Sequence, residues 1–150
     1  MNPKNRPYHA VVRRLYFEGT LAGAVCIDGR DRNKKNDTIN GVYALRKTAF
    51  HGACSYEKAD AKMPRFLFYS ATKCRWKVSD ELNDAKPGFA YANVQDRGAA
   101  APPAHGAALE WRVFDGKESG YGADRSVRCF DVGEILAELT AAGPRGRPRR

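Results

Sequence analysis

His51 and Cys54 stand three residues apart, a spacing that a tight turn could convert into a thiol–imidazole pair for nucleophilic catalysis. The other two histidines, His9 and His105, lie in a basic N-terminal stretch and an Ala/Pro-rich stretch, and none of the three adjoins a Ser or Cys in a nucleophile elbow. A turn histidine beside a buried structural thiol explains the same spacing and is the preferred reading. Asp80, Glu81 and Asp84 gather carboxylates that a hard cation could use, but without the regular alternation of a calcium loop. They read as a solvated loop. Gly116, Gly120 and Gly122 do not match the glycine–lysine–hydroxyl signature of a phosphate-binding loop, and their flanks are strand-like. Cys26, Cys54, Cys74 and Cys129 contain no close pair of the kind that zinc sites use. They are expected to be reduced, buried, hydrophobe-like thiols. No catalytic residue, metal ligand or cofactor site is therefore expected, and the protein is read as a non-enzyme.

Charge is the stronger signal. The chain carries a net charge of +9, and it is concentrated at the two ends. Lys4, Arg6, Arg13, Arg14, Arg30, Arg32, Lys34 and Lys35 face only three acids within residues 1–35, and Arg145, Arg147, Arg149 and Arg150 face none in residues 143–150. The segment between is neutral. Two cationic arms on a neutral body suit an acidic partner such as RNA, DNA, an anionic membrane or an acidic protein surface. These twelve side chains are the candidate partner-contacting or anion-contacting residues. The alternative is that the basic ends serve solubility alone.

No apolar run approaches the roughly 20 residues needed to span a bilayer, and no secretory apolar region precedes the cysteines. A soluble intracellular protein is expected. The acid-free residues 1–17 keep organelle import open, although they lack serine and carry Pro3 and Pro7.

Residues 8–17 fit either a short strand or a helical turn. Val25 to Ile27 is a short apolar stretch, and residues 28–37 are turn formers and charges that read as a loop, with the boundary of the basic arm at residue 37. From Ile39 the pattern becomes short strands separated by turns. Val42 and Ala44 alternate with Tyr43 and Leu45, a second strand surrounds Tyr56, and residues 65–70 are apolar on both faces, as in a covered central strand. Cys74, Trp76 and Val78 alternate with Arg75, Lys77 and Ser79, forming a hairpin with the preceding strand through residues 71–73. Residues 89–94, 109–113 and 127–130 supply further strands, while residues 97–107 read as a flexible loop. Ile135, Leu136 and Leu139 share one stripe of a helix, with Asp131 and Glu134 spaced as a capping box and Gly143-Pro144 as its stop.

The order Ile39-Asn40-Gly41-Val42-Tyr43, Tyr56, Phe66-Leu67-Phe68-Tyr69, Trp76-Lys77-Val78, Phe89-Ala90-Tyr91, Trp111-Arg112-Val113 and Asp115-Gly116 resembles a repeat found in predicted proteins of dinoflagellates and related microalgae. The resemblance covers residues 39–130. It implies a β-rich scaffold or interaction unit without enzymatic activity, and brings no site residues with it.

The expected architecture is all-β: a single small antiparallel sandwich or barrel-like body (residues 38–131), a basic N-terminal arm (1–37), a short helix (132–142) and a disordered basic tail (143–150). The expected function is a non-enzymatic interaction or scaffold module, such as an accessory subunit binding a protein partner. The alternative is a basic RNA-associated, ribosome-peripheral protein that binds phosphates through its arms. Tyr43, Tyr69 and Tyr91, with Arg75 and Lys77, are the residues a base-stacking sheet would use, while Trp76 and Trp111 are expected to point inward.

Overall fold

The computed structural model describes residues 2–59, 62–94, 103–104 and 109–145, with side chains to residue 141. A 3-10 segment (Pro3–Tyr8) leads into α1 (His9–Glu18). Then come β1 (Val25–Asp28), a 3-10 turn (Asp37–Ile39), β2 (Gly41–Leu45), β3 (Tyr56–Lys58), β4 (Phe66–Ser70) and β5 (Arg75–Ser79). The chain continues through β6 (Ala90–Asn93), β7 (Trp111–Phe114), β8 (Tyr121–Ala123), β9 (Arg128–Asp131) and α2 (Gly133–Arg145). Among the described residues, nine strands form one antiparallel sheet, in the order β8-β7-β6-β5-β4-β3-β2-β1-β9. The fold is therefore all-β and barrel-like; with a single sheet, it is not a sandwich.

Topology forces this sheet to curl. Laid flat, with strands about 4.8 Å apart, its outermost strands β8 and β9 would be roughly 38 Å apart. The link between them, residues 124–127, reaches at most about 18 Å. Topology also keeps the curl open. Counting antiparallel pairs around the sheet leaves β8 and β9 parallel, and pairing parallel neighbours takes a crossover of about a dozen residues or more. Four residues cannot supply one, so the result is a half-barrel with a seam.

The seam is closed by side chains. Arg30, directly after β1, donates from Nη2 to Asp115 at 2.6 Å, from Nη1 to Asp124 at 3.0 Å and from Nε to the Lys35 carbonyl at 2.8 Å. Asn36 donates to the Phe114 carbonyl, and the Ser126 hydroxyl donates to the Gly29 carbonyl. Gly29 has φ +108°, and a Cβ there would lie 1.8 Å from the Ser126 carbonyl oxygen, so only glycine permits this approach.

The concave face is the main core. Strand alternation sends Tyr43, Tyr56, Leu67, Tyr69, Trp76, Val78, Ala90, Ala92, Trp111 and Val113 inward. Trp76 and Trp111 point inward as expected, each 1% exposed. β4 occupies the middle of the order and is covered on both faces: Leu67 lies inside, while Phe68 packs outside against the Phe50 ring. On the convex face of β1, β2 and β9, Cys26, Val42 and Phe130 meet Val12 and Leu15 of α1 and Ile135 of α2, forming a second core cluster.

Several boundaries shift. Residues 8–17, open to either reading, become helix. The expected arm boundary at residue 37 is not a structural boundary, because β1 pairs with both β2 and β9 and α1 packs on the body. Residues 121–123 form a strand that the sequence pattern did not suggest, since Gly122 offers no inward side chain. The last helix begins as expected, with Asp131 accepting from the Gly133 N–H, but runs to Arg145, past Gly143-Pro144. Residues 97–102 and 105–107 of the expected loop lie outside the described residues.

Candidate interaction surface

The convex cluster is open to solvent at one end. α1 buries His9, Val12 and Leu15, and its last turn turns Tyr16 and Phe17 outward, 55% and 81% exposed. The helix stops at Gly19, whose φ of +76° makes a left-handed cap. The chain then runs through Leu21, Ala22 and Gly23 to β1. Together with the β9–α2 junction (Asp131, Val132, Gly133, Leu136), this return forms a cleft of about 410 Å³ with mainly apolar walls, and Tyr16 is part of its rim. The Tyr16 and Phe17 rings meet edge to face at 5.6 Å, so the protruding ring and the cleft are contiguous.

The two helices are joined behind this surface by polar groups. Asn5, fully buried, donates to a Glu138 carboxylate oxygen at 2.9 Å, and His9 Nε2 lies 3.5 Å from the other oxygen. A second, polar cleft of about 610 Å³ lies between the Pro3–Tyr8 segment and the loop after β1. Lys4, Arg32 and Lys58 line it, beside Asp28, Asp31 and Asp37. Tyr8 donates its hydroxyl to Asp28; burial, then that bond, raises the phenol above its ordinary range. Burial, then the nearby Arg65 charge, lowers the Lys58 ammonium, which donates to the Thr38 carbonyl at 2.7 Å.

The expected contact residues divide by position. Arg30 is a correction: its side chain is 1% exposed and committed to the seam, so it is not an arm residue. Lys4, Arg6, Arg13, Arg14, Arg32, Lys34 and Lys35 are exposed, on folded elements or the loop after β1. Arg145 ends α2, and Arg147, Arg149 and Arg150 lie outside the described residues. The tyrosines separate too. Tyr43 and Tyr69 face the core, and only Tyr91 stands on the convex face, under the Arg75 guanidinium at 3.8 Å and beside Tyr121. Lys77 shares that face with Arg75 but is 1% exposed. It donates to the Asp84 and Lys86 carbonyls, and burial lowers its pKa despite Asp84 nearby.

His51 sits on a tight turn bridged by Phe50 and Ala53, its ring edge to face with that of Phe50, and no hydrogen bond joins it to Cys54. The expectation of buried thiols holds for Cys26, where burial raises the pKa beyond its normal range. It holds in part for Cys129, pushed up to about 12 by burial. Cys54 is exposed because it lies in the loop before β3 rather than on the strand. Asp80 pairs with Lys86 at 2.8 Å, a hydrogen bond that lowers its pKa, and Asp84 accepts from Thr72.

Sequence reasoning passed over Phe17 and the cleft. The adjacent aromatics Tyr16-Phe17, followed by Gly19 and the small residues Ala22-Gly23, are the signal the sequence offers. Comparison of the chain with protein-family models, curated proteins and solved structures finds no match.

Proposed function

We propose that this chain is a non-enzymatic protein-interaction module that docks through the end of α1 and the cleft beside it. One observation carries the reading: Phe17 is 81% exposed on a helix whose opposite face is packed, next to an apolar cleft. Burying a phenylalanine side chain is worth roughly 1.5–3 kcal/mol, which a partner covering Phe17 would recover. A few anchors, aromatic side chains prominent among them, supply most of the binding energy of protein interfaces when they fill desolvated pockets.

The test places a photoreactive phenylalanine derivative at position 17 of the full chain, in extract of the source cells. A discrete protein adduct is expected from position 17. It should be absent when the same group replaces exposed Lys117 and lost when Ala22→Glu blocks the cleft. Identical labelling from both positions, or none from position 17, overturns the reading.

A second reading, an RNA-associated protein, draws on Lys4 and Arg32 lining one cleft and on the further exposed cations of α1 and the loop after β1. It expects single-stranded RNA binding that weakens steeply with salt and falls further in Lys4→Glu/Arg32→Glu. No binding at low salt removes it.

A further inference from the structure

We infer that the occupant of the α1–α2 cleft is Phe17 of a second copy of this chain, giving a symmetric dimer. The inference rests on the interaction reading above and names its partner. In a two-fold interface the same patch meets itself, so a protruding group and its receptor must lie side by side on one surface. Here they do: Tyr16 is both rim of the cleft and edge-to-face neighbour of Phe17. An axis passing near Tyr16 carries each Phe17 ring towards the other copy's cleft, against Leu21, Val132 and Leu136.

Charge supports the same pairing. Arg13 and Arg14 precede Phe17 by one helical turn, so they share its outward face and flank the protruding ring. Asp131 and Glu134, both exposed, stand at the start of α2, where the cleft opens. The two-fold axis brings the basic flank of each copy to the acidic rim of the other. Within one chain Glu134 meets Arg128 at 4.0 Å, a long and exposed pairing that is readily exchanged. Residues 146–150, only Gly, Arg and Pro, carry no apolar side chain suited to the cleft beyond proline.

Sedimentation of the full chain from micromolar to millimolar concentration tests the inference. The weight-average mass should climb towards twice the chain mass, and Phe17→Asp should hold it at the monomer. Arg13→Glu/Arg14→Glu and Glu134→Lys should each weaken self-association at least tenfold. An equimolar mixture of those two variants should dimerise again, since both contacts in the mixed pair become attractive. Circular dichroism melts of the variants at low concentration should match the parent, separating lost association from lost folding.

A monomer throughout the concentration range overturns the dimer, as does a dimer indifferent to Phe17→Asp or a mixture that does not recover. A position-17 photo-adduct with a different protein likewise removes the second-copy assignment, while leaving the interaction reading standing. The absence of any adduct removes both.

Discussion

Inside the curl, Trp76, Trp111, Tyr43 and Tyr56 are sealed on every side, and the one seam in the sheet is stitched by Arg30 and Asn36. On the convex side, the cluster beneath α1 and α2 is packed equally well at Val12 and Ile135 but runs out to solvent at Phe17. Both regions are built from aromatic and aliphatic residues. They differ in closure: one surface curves back on itself, while the other is roofed by two short helices that do not reach its end. Apolar density alone thus does not separate a residue that holds the fold from one that faces a partner. The difference lies in whether the chain returns to cover it.

The sharpest break between the regions should come from the core. Trp76→Ala is expected to cost about 3–5 kcal/mol, read as a lowered urea midpoint or failure to fold. Next comes the seam. Arg30→Met leaves Asp124 and Asp115 without their cation and should cost about 3 kcal/mol, mostly through the better-buried Asp124. Adding Asp115→Asn and Asp124→Asn should recover part of that loss.

The seam also has a pH signature. Burial alone would raise the Asp124 pKa, but hydrogen bonds from Ser126 and Arg30 outweigh it and hold the carboxyl below its usual value. A depressed folded pKa contributes stability above the unfolded value, about 3.9, and loses it as pH falls through the folded one. Urea midpoints should therefore drop below about pH 4, more steeply in the parent than in Arg30→Met.

A smaller effect is expected behind the helices. Glu138→Ala strips the buried Asn5 amide of its acceptor and should cost about 1–2 kcal/mol, read by thermal melting. The smallest is at the exposed ring: Phe17→Asp should change the stability of dilute protein by less than about 0.5 kcal/mol. If Phe17→Asp instead destabilised the fold as Trp76→Ala does, Phe17 would belong with the core and the contrast between the regions would collapse.

Much of the sheet was legible in the chain. Period-two alternation around Trp76 and Trp111 fixes which side chains face inward, and the doubly apolar residues 65–70 mark the central strand, because these signals are local. β8 left no such trace, since Gly122 fills its inward position. Arg30 reads as an arm residue for a related reason: its neighbours Asp28, Asp31 and Arg32 are those of a solvated loop, and its partners Asp115 and Asp124 lie far along the chain.

By itself the sequence determined the positions of β2 to β7 and β9, the inward tryptophans, the final helix with its Asp131 cap and the concentration of charge at the ends. Only tertiary structure decided that a short β8–β9 link curls the sheet and leaves a seam. It also decided that the seam consumes Arg30 while Phe17 stays uncovered. Strand and helix patterns record each residue's immediate neighbours, whereas closure and exposure depend on contacts between residues distant in the chain.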